Sequence, residues 1–210
     1  MNAATQKITL QGGAGLIEAL LDMPAGAARG TAVIAHPHPL FGGTMTNKVV
    51  QTLARAFVQT GWRAVRFNFR GVGASEGVHD GGRGEAEDMR GVIQQVAPEG
   101  ALAVAGFSFG AFVASHVVAQ LAPRQPEKIV LVGTAASRFS VAPIAAELHE
   151  RTLVLHGEQD DTVALSSVMD WARPQSLPVT VIPGVEHFFH GQLPLLKSLV
   201  VRHLLAPTHI

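Results

Sequence analysis

Three short segments carry residue types that could together activate a hydroxyl group. The first is Gly106-Phe107-Ser108-Phe109-Gly110, reached from the apolar run 102–105 and followed directly by a helical window. A serine on so tight a strand-to-helix turn is pushed into a strained backbone conformation that exposes its Oγ. Glycines two before and two after keep side chains out of the crowded turn. The helix that starts behind the serine points its positive end at negative charge developing there. Ser75, in Gly73-Ala74-Ser75-Glu76-Gly77, meets a looser glycine–serine pattern, but it lies in a polar loop with no strand before it.

A serine hydroxyl at neutral pH needs a general base, and the base needs an acceptor that holds its tautomer. Two later loops offer both, each leaving a short apolar run. Gly157-Glu158-Gln159-Asp160-Asp161-Thr162-Val163 contains two carboxylates in sequence, and Pro183-Gly184-Val185-Glu186-His187-Phe188-Phe189-His190-Gly191 contains two histidines. The order serine, acid, histidine suits nucleophilic catalysis. His187 is preferred as the base because it comes first in its loop, whereas His190 opens the last helical window. The other histidines have plainer readings: His116 sits within a helix, His79 and His149 in polar stretches, and His203 and His209 near the C-terminus. His156 ends a strand and is read as packed and hydrogen-bonded.

Chemistry at a carbonyl also needs donors for the developing oxyanion. His36-Pro37-His38-Pro39-Leu40-Phe41-Gly42-Gly43 leaves an early strand at a suitable place. Proline has no N–H, which leaves the amides of His38, Leu40 and Phe41 as candidates. The pair His36 and His38 lacks a clear third ligand, so no metal is expected, and no cofactor.

These loops must be positioned by a scaffold, and the chain alternates short β-branched runs with longer helical windows. Segments 8–10 and 16–21 flank a glycine turn and read as a hairpin. Strands are expected over 31–36, 64–69, 102–106, 129–133, 152–156 and 179–182. Helices are expected over 47–60, 85–96, 109–121, 165–171 and 193–205. Continuous apolar runs such as Ala32-Val33-Ile34-Ala35 and Ile129-Val130-Leu131-Val132 suit parallel strands buried on both faces. The prediction is a doubly wound α/β fold with its site at the C-terminal ends of the strands. The irregular stretch 134–151 is too short for a cap domain, so an open site is expected. Asn68 and Arg70 are read as strand-end residues tying loops together, Glu85 and Asp88 as carboxylates at a helix start, Glu158 as a shaper of the acid loop, and Asp161 as an exposed cap of the following helix.

Gly157-x-x-Asp160-x-x-Val163 resembles the acid loop of α/β-hydrolases, in which the aspartate lies three residues after the glycine. This likeness selects Asp160 over Asp161. With His36–Gly43, Asn68-Phe69-Arg70-Gly71-Val72-Gly73, Gly84-Glu85-Ala86-Glu87-Asp88, Gly106–Gly110 and His187–Gly191, most of the chain resembles the small capless bacterial α/β-hydrolases of the CocE/NonD-like or dienelactone hydrolase-like type. The resemblance implies an α/β-hydrolase fold with a mostly parallel sheet of about eight strands, and carboxylesterase activity on small or medium acyl esters. In dienelactone hydrolase-like loops the residue before Phe-Gly donates to the oxyanion, which here selects the Leu40 N–H, with the Phe109 N–H as the second donor. Serine stands where dienelactone hydrolases use cysteine. A thioesterase, acyltransferase or amide hydrolase would use the same triad, and a non-catalytic binding protein could share the fold.

Bulk properties narrow the rest. At 210 residues, 47% hydrophobic and 15% charged, the chain suits a single domain with a large core. Sixteen Lys+Arg balance 16 Asp+Glu, which speaks against nucleic acid or anionic lipid as partner and leaves room for a homodimer. With no cysteine, disulfides and thiolate chemistry are excluded. No apolar run has the length of a membrane span or the look of a signal peptide, so a cytoplasmic enzyme is expected.

Overall fold

In the computed structural model, which describes residues 5–207, eight strands form one sheet in the order β1-β2-β4-β3-β5-β6-β7-β8. The strands are β1 (Gln6–Gly12), β2 (Gly15–Asp22), β3 (Thr31–Ala35), β4 (Arg63–Phe67), β5 (Leu102–Phe107), β6 (Lys128–Val132), β7 (Thr152–Gly157) and β8 (Val179–Ile182). The β1–β2 and β2–β4 pairs are antiparallel, and every pair from β4 to β8 is parallel. Residues 1–4 and His209 lie outside the described residues. Among the described residues, no helix is long and apolar enough to cross a membrane.

Side chains alternate across each parallel strand, yet both sets are buried. On β3, Val33 and Ala35 join one core and Ala32 and Ile34 the other. Helices α2 (Arg83–Val96), α3 (Phe109–Ala119) and α4 (Leu165–Ala172) cover the first face, through Met89, Val113 and Val168 among others. The opposite face is closed by α1 (Lys48–Gln59) and α5 (Leu193–Leu205). The buried apolar residues of α1, Val49, Val50, Leu53, Ala54, Ala56 and Phe57, follow the spacing of one broad helical stripe. The two-sided burial explains why these strands read as unbroken apolar runs rather than alternating ones.

Element types match the sequence expectation throughout, with ends shifted by one or two residues, while several polar roles do not match. β4 stops at Phe67 rather than 69, because the Phe69 N–H donates to His36 Nε2 at 3.0 Å instead of joining a ladder. Asp88 does not serve the start of its helix. It pairs with Arg70 at 2.7 Å and accepts the Gly13 N–H at 3.2 Å, joining the hairpin turn, the β4 exit and α2. Glu85 does stand at the helix start, accepting the Gly82 N–H at 2.8 Å. Asp161 caps nothing: the residue ahead of α4 is Ala164, with no side-chain cap. Asn68 ties loops as expected, accepting the Met45 N–H and donating to Glu18. A 3-10 turn, Ala146–Arg151, is the only regular piece in the 134–151 connection.

Candidate active site

Ser108 sits between β5 and α3 with φ 56° and ψ −117°, a left-handed conformation that non-glycine residues adopt only when their surroundings impose it. The surroundings here are backbone. A Cβ on Gly106 would lie 2.2 Å from the Gly110 carbonyl oxygen, and one on Gly110 would lie 2.4 Å from that of Ala35. Strand, helix and neighbouring strand therefore approach closely enough to force the turn only with glycine at both positions. The Ser108 N–H is held by the Val132 carbonyl at 2.8 Å.

The loops after β7 and β8 bring the other two residues to this turn. His187 Nε2 lies 3.0 Å from Ser108 Oγ, and His187 Nδ1 lies 2.6 Å from Asp160 Oδ2. All three side chains are buried. The other carboxylate oxygen of Asp160 accepts the N–H groups of Thr162 at 3.0 Å and Val163 at 2.7 Å. Burial by itself would raise the Asp160 pKa. The hydrogen bond and charge of His187, together with the Val163 N–H and His156, outweigh it and hold the carboxyl below its usual range. An ionised Asp160 accepts a hydrogen bond from the Nδ1–H, which keeps the proton on Nδ1 and leaves Nε2 as an acceptor aimed at the serine hydroxyl. The imidazole itself lies against the rings of Phe107 and Phe188, at 4.9 and 5.0 Å between centroids.

The rival residues are occupied elsewhere. His190 pairs with Glu186 at 3.0 Å on the exposed side of its loop. The Asp161 carboxylate is exposed and accepts only from the Thr162 hydroxyl. Ser75 is buried, donating to the Asn68 carbonyl and accepting the Glu18 N–H. Glu158 shapes the acid loop by accepting the Gly184 N–H at 2.9 Å.

The oxyanion loop departs from expectation at Leu40. Its N–H donates to His38 Nδ1 at 3.2 Å, and its side chain is 70% exposed, away from the cavity. Phe41 and Gly43 donate to the His38 carbonyl, and Gly42 to that of Pro39. The loop closes on itself as a 3-10 turn, Pro39–Phe41, and uses those amides to do so. Among the described residues, the His38 N–H has no partner, and neither does the Phe109 N–H at the first turn of α3. Both residues line the cavity over Ser108, and Leu40 does not. The free amide depends on the hydrogen bonding of the folded loop, which no residue count reveals.

Two histidines brace the site from behind. His36 Nδ1–H donates to the Pro37 carbonyl at 2.6 Å while Nε2 accepts from Phe69, and burial pushes its pKa down to about 4. With both nitrogens engaged, it holds the exits of β3 and β4 together as a neutral ring. His156 Nε2 lies 3.0 Å from the Val163 carbonyl and 3.6 Å from Asp160 Oδ2. Burial lowers its pKa more than Asp160 raises it, so a neutral Nε2–H supports the acid loop. That placement gives the packed, hydrogen-bonded residue expected at 156 a specific task beside the triad.

The cavity above Ser108 measures about 340 Å³. Its walls include His38, Phe41, Phe109, Phe139 and Phe188, with Arg138 at the rim. Nothing in the sequence around Arg138 marked it, since the stretch 134–151 has no periodicity from which a facing direction could be read.

Residues 26–149 match the family described as serine aminopeptidase, S33. The chain is 33% identical to XC6422 from Xanthomonas campestris, an α/β serine hydrolase without lid, with a TM-score of 0.86 over 100% of this chain and 99% of that one. It is 37% identical to an α/β serine hydrolase homologue from Coxiella burnetii, with a TM-score of 0.80 over 96% and 97% of the two chains. An uncharacterised protein of Rickettsia prowazekii is 32% identical over 75% of this chain and 71% of its own length. The architecture is an α/β-hydrolase fold.

Proposed function

Since the chain belongs to the α/β serine hydrolase family described as serine aminopeptidase, S33, we propose that it is a carboxylesterase acting on small or medium esters through Ser108, His187 and Asp160. The observation that carries this reading is the unbroken line of contacts from Asp160 to His187 at 2.6 Å and from His187 to Ser108 at 3.0 Å. His187 Nε2 takes the Ser108 proton as Oγ bonds to the ester carbonyl carbon. Asp160 stabilises the imidazolium, and the amides of His38 and Phe109 hold the oxyanion. The tetrahedral adduct collapses as His187 returns the proton to the departing alkoxide, which leaves as an alcohol. Water, deprotonated by His187, then releases the acid and restores Ser108.

Ester hydrolysis is favoured over removal of an N-terminal residue from a peptide. An aminopeptidase must recognise a free α-amino group, which is largely protonated near neutral pH, and an acidic side chain is the natural partner for it. Among the described residues, no aspartate or glutamate lines the cavity. The test is labelling with a fluorophosphonate probe, with the adduct located by mass spectrometry. An adduct on Ser108 is expected, and none on a folded protein would move the non-catalytic reading forward.

The donor assignment has its own test. His38 has φ −55° and ψ 123°, which a proline can adopt, so His38→Pro deletes the N–H with little backbone change. His38→Ala removes the same ring but keeps the amide. We expect His38→Pro to have a kcat lower than that of His38→Ala by about 10²–10³-fold, the cost of one oxyanion donor. Equal rates in the two variants would return the role to another amide.

A further inference from the structure

The cavity's charge bears on which esters enter it, an inference that rests on the hydrolase reading. Among the described residues, Arg138 is the only lysine or arginine lining the cavity, and no carboxylate residue lines it. Most other arginines near the strand ends have partners. Arg66 pairs with Asp22 and Arg70 with Asp88, each at 2.7 Å, and Arg63 donates to Thr31 and the Val96 carbonyl. Among the described residues, the Arg138 guanidinium has neither a carboxylate in ion-pair range nor a hydrogen bond. It is exposed at the rim, so a ligand would meet it without the cost of stripping a buried charge of water.

The position of Arg138 is set by its neighbours. Its N–H donates to the Ala135 carbonyl at 3.2 Å, closing a turn just after β6. Phe139, the next residue, stacks on Phe112 with centroids 4.7 Å apart and meets Phe109 edge-on at 5.2 Å. The backbone that carries the guanidinium is thus pinned to the first turn of α3, directly behind Ser108. The His38 ring lies 5.8 Å from that of Phe139, so cation, aromatic wall and oxyanion loop border one space.

We propose that Arg138 receives an anionic group of the substrate, so that the preferred esters carry a carboxylate on an aromatic or apolar body. The planar guanidinium fork matches a carboxylate with two parallel hydrogen bonds, and the phenylalanine walls suit a ring beside it. A cavity of about 340 Å³ is at the small end for ligand sites, with room for one ring and a short acyl group. The positive charge of Arg138 reaches the neighbouring loop. The His38 pKa is lowered by burial first, then by His79 and, after a partial offset from Glu85, by Arg138. A substrate anion would find the same field attractive.

The test compares matched esters that differ in one charge. In 3-acetoxybenzoate and 3-acetoxybenzamide the anion is on the alcohol half. In monomethyl isophthalate and methyl 3-carbamoylbenzoate it is on the acyl half. The readout is the ratio of kcat/KM, anionic over neutral, each corrected for its own uncatalysed rate. In at least one pair we expect a ratio of about 10 or more, which shrinks with added salt, falls to within about twofold of one in Arg138→Gln, and drops below one in Arg138→Glu. Calorimetry with 3-acetamidobenzoate and 3-acetamidobenzamide, which are not esters, supplies a second readout that needs no turnover. Selective binding of the anion, lost in Arg138→Gln, would uphold the inference even if no ester were cleaved, and only the hydrolase reading would fall. Turnover of both members of each pair at ratios within about twofold of one, or a ratio unchanged in Arg138→Gln, would overturn the role of Arg138 and leave the hydrolase standing.

Discussion

Ser108→Ala is expected to lower kcat on an activated ester by about 10⁴–10⁶-fold, the range over which loss of a serine nucleophile is felt when its partners remain. The residual rate would come from the oxyanion amides and substrate binding, which the substitution leaves in place. Stability should fall by no more than about 1–3 kcal/mol. The Ser108 hydroxyl has one side-chain partner, His187 Nε2 at 3.0 Å, and alanine must adopt the same left-handed φ of 56° that serine already bears. The variant leaves a buried imidazole acceptor unpaired, at a cost of about 1–3 kcal/mol, while the tight packing of Gly106 and Gly110 is untouched. Steady-state kinetics beside thermal unfolding would check both halves. A variant that unfolds would say nothing of chemistry, but a folded one with unchanged turnover would remove Ser108 as the nucleophile.

Asp160→Asn is expected to cost about 10⁴-fold in kcat, the scale set by the same change in a serine protease triad. The argument is one of tautomers. In the wild type one carboxylate oxygen accepts two loop amides, from Thr162 at 3.0 Å and Val163 at 2.7 Å, and the other accepts from His187 at 2.6 Å. Those two amides need an acceptor, so asparagine must turn its carbonyl oxygen towards them and its NH₂ towards His187. Two donors cannot face each other. The imidazole then carries its proton on Nε2 and presents a donor, instead of a base, to Ser108. Because the loop amides stay satisfied, the fold and the substrate affinity should be nearly preserved. Asp161→Asn, one residue along, should alter kcat by less than about threefold, since its exposed carboxylate touches only Thr162. Equal losses in the two variants would mean that disturbance of the loop, not orientation of His187, explains the effect.

Some of this site was readable before any fold was known, for reasons that are local. The glycines around Ser108 reflect sterics within one five-residue turn, so their spacing in the chain is the signal itself. Asp160 and His187 each hang from the end of a strand, and the register of a parallel sheet carries such loops to one edge. Leu40 illustrates the opposite case. Its neighbours in sequence made it a reasonable donor, yet its N–H is taken by the ring of His38 two residues earlier, a bond that exists only once the 3-10 turn has formed. Asp88 failed similarly, because Arg70 and Gly13 reach it from other elements. Arg138 gave no sign at all, lying in a stretch without periodicity.

The residue pattern alone set the elements, the strand-end placement of the loops and a serine, a pair of carboxylates and a histidine in workable order, with the likeness to α/β-hydrolase acid loops choosing between the carboxylates, because turn sterics and two-sided burial act over neighbouring residues. Only the tertiary structure decided which amides stay free for an oxyanion, that His156 stands behind Asp160, and that an unpaired guanidinium borders the cavity. Those outcomes depend on hydrogen bonds and distances between segments far apart in the chain. Such distances are fixed by how the sheet and its helices pack.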